Sequence, residues 1–192
     1  MTALLEELGL ETANWQEDDK GIALGSVIPE GKYHARLVHA AERQAGGYTI
    51  DELKFEILHG PYKGKVIEDD LFHTGTDAQK TEKAKLKRRS YYHRLGLLTK
   101  SEVNGEKKYT LTPGKNHIRD CLDVQVIIDV VAQEESWEDK KTGANRKMMK
   151  NKLSYFGIYK LDDPKVKDVP RATGTPAPIT SATKPAPDLS GI

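Results

Sequence analysis

The sequence predicts a mainly β fold: a five-stranded, barrel-like sheet with one helix between the third and fourth strands. Three observations predict it. Apolar and polar residues alternate with period two in several separate stretches. One strongly basic stretch instead spaces its apolar residues at 3.6 per turn. Glycine and proline turns fall between these stretches.

Taken in order, the first strand runs from Tyr33 to Ala41, with Tyr33, Ala35 and Leu37 on one face and His34 and Arg36 on the other, and it ends before Gly46-Gly47. The second, Tyr48 to Leu58, sets Leu53, Phe55 and Ile57 against Glu52, Lys54 and Glu56. The turn Gly60-Pro61-Tyr62-Lys63-Gly64 leads into a third strand, Lys65 to His73, carrying Ile67 and Leu71. Two such strands around a Gly/Pro turn read as a hairpin. A helix follows from about Ala78 to Leu98, with Ala84, Tyr91, Leu95 and Leu98 in one stripe. Residues 99–120 read as an insertion with an Asn104-Gly105 hairpin, Tyr109 and Leu111 being partners across it. The fourth strand, Leu122 to Ala132, alternates Leu122, Val124, Val126, Ile128 and Val130 with Asp123, Gln125 and Asp129. A charged loop from Glu134 to Asn145 precedes the last strand, about Lys147 to Lys160. Three strands, a helix and two strands is the element order of an OB-fold, and also of an α+β sandwich.

This organisation gives an acidic arm over 1–26, a domain over 27–160 and a disordered Pro/Ala/Thr-rich tail over 161–192. The chain has 192 residues, 37% hydrophobic and 31% charged, with a net charge of only +1. That balance hides strong segregation. The first twenty residues hold six acids against Lys20, seven bases lie between Lys80 and Arg94 against Glu82, and six bases and no acid lie between Lys140 and Lys152. Such asymmetry points to a polyanionic partner. Cys121 is the only cysteine, so no internal disulfide or cysteine zinc site is expected, which fits a reducing cytoplasm. No apolar run is long enough to span a membrane, and the first residues do not read as a signal peptide.

The stretch Gly60-x-x-x-Gly64-Lys65 is one residue short of a phosphate-binding P-loop, lacks the following hydroxyl and leads into a strand. A metal-dependent nuclease would use Asp51 with Glu52-Leu53-Lys54, but alternation places Asp51 and Glu52 on opposite faces, as it does Asp69 and Asp70. The six histidines, His34, His39, His59, His73, His93 and His117, show no paired metal spacing. No catalysis, metal or cofactor is expected. What remains is aromatic side chains beside bases, the pairing that binds single strands by stacking and phosphate contact. Trp137, Tyr48, Tyr62 and Phe72 are the expected stackers. Lys54, Lys63, Lys65, Lys85, Arg88, Arg89, Lys140, Lys141, Arg146, Lys147 and Lys150 are the expected phosphate contacts. The connections Gln44–Tyr48 and Ser136–Arg146 would flank the binding face, whereas Tyr33, Phe55, Tyr155, Phe156 and Tyr159 read as core.

The run Val27-Ile28-Pro29-Glu30-Gly31-Lys32-Tyr33, followed by Leu53 to Ile67 with its Gly60-Pro61-Tyr62-Lys63-Gly64-Lys65 hairpin, resembles a family of phage and prophage single-stranded DNA-binding proteins with an OB-fold. The likeness covers about 27–160. It implies sequence-tolerant binding of single-stranded DNA in replication or recombination, in the cytoplasm of a bacterial or phage-infected cell, alongside replication or recombination proteins and compatible with a homo-oligomer. The end, Pro187-Asp188-Leu189-Ser190-Gly191-Ile192, has one acid and departs from the aspartate-rich tip of cellular single-strand binders. An adaptor of a recombination or replication complex is the alternative on the same barrel. The acidic arm could lie in the basic groove and compete with DNA.

Overall fold

The computed structural model describes residues 27–103, 106–138, 143 and 145–173. The acidic arm over 1–26 and the tail from 174 onward lie outside the described residues. Among the described residues the structure is mainly β, with seven strands and one α-helix: β1 (Gly31–Ala45), β2 (Tyr48–Ile57), β3 (Val66–Phe72), α1 (Ala78–Arg94), β4 (Leu98–Val103), β5 (Glu106–Leu111), β6 (Gln125–Glu138) and β7 (Asn145–Tyr159). Five strands form one antiparallel sheet in the order β3-β2-β1-β6-β7. The expected closed barrel is not seen: no ladder joins β3 to β7 among the described residues, and the sheet is open. The two edges are spanned instead by α1. Its Tyr91 hydroxyl donates to Asp69 of β3 at 2.7 Å, and its Lys83 carbonyl accepts from the Tyr155 hydroxyl of β7 at 2.9 Å.

Period-two patterning places the core. Leu53, Phe55 and Ile57 of β2, Ile67 and Leu71 of β3, and Val126, Ile128 and Val130 of β6 are buried together with Tyr91 and Leu95. Burying a side chain such as Phe55 stabilises by roughly 1.5–3 kcal/mol. Between β1 and β2 the turn is only Gly46-Gly47, at φ 56° and 81°. Two successive positive φ values match the right-handed twist of a two-residue hairpin and select glycine at both positions.

Asp77 caps α1 by accepting from the Lys80 amide at 2.8 Å. The helix stops at Arg94, four residues short of the expected end. Gly96 takes φ +77°, the Gly96 amide bonds to the His93 carbonyl (3.2 Å), and the Leu97 amide bonds to the Tyr92 carbonyl (2.8 Å). That bonding pattern closes a helix around a left-handed glycine. It turns Leu97 inward and sends Leu98, expected on the helix stripe, into β4. β4 and β5 form the hairpin expected in the insertion, with Leu98 opposite Leu111 and Lys100 opposite Tyr109.

Two expectations need correction. The loop expected over 134–145 is paired at its start: β6 and β7 run on as a two-stranded ribbon to Glu138 opposite Asn145, while residues 139–142 and 144 lie outside the described residues. A polar, exposed ribbon carries no apolar alternation to announce it. Beyond Lys160, where the tail was expected to begin, the chain is packed as far as Ala172. Val166 is buried within a short turn (Pro164–Val166), and the Ala172 amide donates to His34 Nδ1 at 3.0 Å.

Candidate nucleic-acid interface

A cleft of about 780 Å³ lies where β3 and the Tyr48 end of β2 meet the first half of α1 and the β6–β7 ribbon. Its aromatic members are Tyr48, Phe72 and Tyr155. The Tyr48 and Phe72 rings meet edge to face at 6.0 Å, and Phe72 remains 44% exposed. Tyr155 owes its position to an irregularity in β7. Ile128 pairs with Ile158 and Val130 with Leu153, so three extra residues of β7 loop outward. They carry Tyr155 and Phe156, which were expected in the core but are 49% and 39% exposed. Gly157 fits this bulge because a Cβ there would meet the Asp129 carbonyl at 2.8 Å.

Lys80, Lys83 and Lys87 line the cleft from α1, at the spacing that puts helix residues on one side. Lys150 and Lys152 line it from β7. Their charges are not equally available. Lys87 is bound to the half-buried Asp69 at 2.9 Å, and Lys152 pairs with Glu135. Lys83 and Lys150 have no salt-bridge partner among the described residues. The β2–β3 side is electrically matched: Arg43 bridges Glu52 (2.8 Å) and Asp70 (3.1 Å), and Lys54 bridges Glu52 (3.1 Å) and Glu68 (2.8 Å). The hydrogen bonds to Glu68 and Glu52 push the Lys54 ammonium above its usual range. Asp69 forms part of the floor. Burial pushes its carboxyl up, opposed by Lys87 and by the Tyr91 hydroxyl; burial beside that carboxylate raises Tyr91 well above an ordinary phenol.

The sequence-predicted residues divide sharply. Tyr48, Phe72 and Lys150 come together in the cleft. Trp137, 45% exposed, lies on the ribbon face it shares with Glu135, a cleft residue. Arg146 is its cross-strand partner. Lys147 is on the opposite ribbon face, bridged to Glu134 at 2.8 Å. Lys85 is paired with Glu82, and Arg89 is exposed on α1 without lining the cleft. Arg88 turns inward, its guanidinium 3.5 Å from Asp51 and stacked over Tyr92. Tyr62, Lys63 and Lys65 lie at the far end of the β2–β3 hairpin, roughly 20 Å along β3 from Phe72. Lys140 and Lys141 lie outside the described residues. Sequence reasoning missed Lys80, Lys83, Lys87, Lys152, Arg43 and Tyr155 as members of one site. The helical spacing of the three α1 lysines was the readable signal.

The constellation weighed for a nuclease does not assemble. Asp51 is buried on the core face of β2, and Glu52 is on the outer face with Lys54. Asp51 Oδ2 accepts from the Tyr92 hydroxyl at 2.5 Å and faces Arg88, while Oδ1 accepts from His73 Nε2 at 3.0 Å. Burial, followed by the bond to Asp51, pushes the Tyr92 phenol up to about 12. Among the described residues, Asp51 instead meets His73 and Glu42, and the three potential ligand atoms all lie within 4.8 Å of one another.

No helix of the described residues is long and apolar enough to cross a membrane. Comparison with curated proteins finds no match. One family model, described as "Protein of unknown function (DUF669)", matches residues 16–112, just over half of the chain, taking in β1 to β5 and α1. The chain belongs to this DUF669 family.

Proposed function

We propose that the protein binds single-stranded DNA without catalysis, and that its five-stranded sheet acts as an OB-type barrel in which α1 bridges the β3 and β7 edges. One observation carries the reading. Three aromatic rings, the exposed Phe72 against the half-buried Tyr48 and the exposed Tyr155, share a cleft with two lysines, Lys83 and Lys150, that have no salt-bridge partner among the described residues. Stacking on such rings tolerates any base, and lysine ammonium groups meet the phosphates. The wall of Glu52, Glu68 and Asp70 is already matched by Arg43 and Lys54. Phosphates therefore run along the α1 and ribbon side, with bases turned toward β2 and β3. A role in replication or recombination follows from the resemblance of the hairpin region.

The test is titration of a fluorescent oligo-dT at rising salt. The two available lysines, Lys83 and Lys150, give a slope of log affinity against log salt of about −1.4 for a single strand. The double variant Lys83→Ala/Lys150→Ala should flatten that slope by about 1.4. A wild-type slope near zero would favour the adaptor reading. The exposed Met148 and Met149 on the two faces of the ribbon suit a protein partner as well.

A further inference from the structure

We propose that Glu42, Asp51 and His73 form a site for one divalent transition-metal cation, of the Mn²⁺ or Zn²⁺ kind. The three come from the first three strands of the sheet. Glu42 of β1 is the direct cross-strand partner of Asp51 of β2, and His73 follows β3, its amide fixed to the Thr49 carbonyl at 2.9 Å. Like charges directly opposite one another on neighbouring strands repel. Arg88 offsets part of the Asp51 charge, but Glu42 has no cationic partner among the described residues. A cation between the two carboxylates turns this repulsion into attraction.

The distances suit an ion. Metal–ligand bonds of about 2.1 Å in four- to six-coordinate geometry hold ligand atoms roughly 3.0 to 4.2 Å apart. Asp51 Oδ1 and His73 Nε2 are already 3.0 Å apart, and all three ligand atoms lie within 4.8 Å. Glu42 is exposed and closes the remaining gap by a rotamer change. The supporting bonds are in place too. The Tyr92 hydroxyl and Arg88 hold Oδ2 of the buried Asp51, which leaves Oδ1 aimed at the imidazole and the site. In the metal-free network Nε2–H donates to Asp51. On binding, the ion takes that place, and the neutral ring's single proton moves through solvent from Nε2 to Nδ1. Two carboxylates and one imidazole are an oxygen–nitrogen set, which favours Mn²⁺ or Zn²⁺ over Ca²⁺, and three protein ligands leave positions for water.

The experiment is calorimetric titration of the chelator-treated full chain with ZnCl₂, repeated with MnCl₂ under paramagnetic NMR. One ion per chain is expected, with Mn²⁺ broadening centred on Glu42, Asp51 and His73. Glu42→Gln, an exposed and isosteric change, should weaken binding at least tenfold without lowering the melting temperature of the metal-free protein. His73→Asn should weaken it as much. Absence of uptake at millimolar metal, or binding that Glu42→Gln leaves unchanged, would overturn the proposal. Broadening centred on other histidines would overturn it as well.

Discussion

The two ends of the β2–β3 hairpin have nearly the same composition and opposite characters. At one end Tyr48 and Phe72 meet edge to face, and both line an open cleft. At the other Tyr62 meets Tyr33 in the same geometry, also at 6.0 Å, but packs against the core beneath the turn. That turn is closed by its own backbone, the Gly64 amide donating to the Ile57 carbonyl at 2.8 Å. Aromatic residues beside lysines thus mark a surface only where neighbouring elements leave the ring uncovered. At the Tyr48 end α1 and the ribbon stand off and form walls, whereas at the turn end the Tyr33 ring closes over the gap.

Three measurements break or sharpen this contrast. The largest effect is expected from Phe72→Ala. Losing one stacking ring should weaken oligo-dT binding by about 1–3 kcal/mol, roughly 5- to 150-fold, with little change in the urea midpoint. Next, Tyr62→Ala should cost about 2 kcal/mol of stability, part of what a fully buried aromatic loses, and leave oligo-dT affinity unchanged once folded. If the two variants lose affinity alike, the two ends are not distinct. The smallest effect is expected with pH, and it acts at the turn end. His34 is buried there, its carbonyl accepting from the Leu58 amide, and burial holds its imidazole below the usual value. The folded state therefore binds fewer protons at this ring than the unfolded one. The stability it contributes is present above the ordinary histidine range and is lost as pH falls through the depressed value. Protonated Nδ1 no longer accepts the Ala172 amide, so the segment over 161–172 should loosen first. His34→Gln should show a shallower fall of the urea midpoint between pH 7 and 5 than wild type; equal slopes would remove His34 from the account.

Much of the sheet was legible because a half-buried strand writes its burial into alternate residues. Leu53, Phe55 and Ile57 are buried as their spacing predicts, and the strands on either side of Asn104-Gly105, which lies outside the described residues, do pair. The same parity held a further message. Asp51 is in phase with Leu53, and Asp69 with Ile67 and Leu71, so both carboxylates had to turn to the inner face and find partners there. Those partners, Arg88 and Tyr92 for one and Lys87 and Tyr91 for the other, sit on α1, and no local pattern names a contact between a strand and a distant helix face. The cleft was half legible for the same reason. Tyr48, Phe72 and Lys150 were named, but Tyr155 reads as an inward residue until the three-residue bulge turns it out. The ribbon and the packed segment beyond Lys160 were not legible, since neither carries an apolar period of its own.

The β3 carboxylates have a consequence beyond the cleft floor. β3 is an edge of the sheet, and its unpaired backbone groups are a template on which another chain could add a strand. Glu68, Asp69 and Asp70 follow one another along that edge, with Asp69 directed inward. An incoming strand, whether from a second copy or a growing fibre, would have to strip water from the exposed carboxylates of Glu68 and Asp70 on either side of Asp69. The residues that line the cleft thereby also guard this edge of the sheet against strand addition.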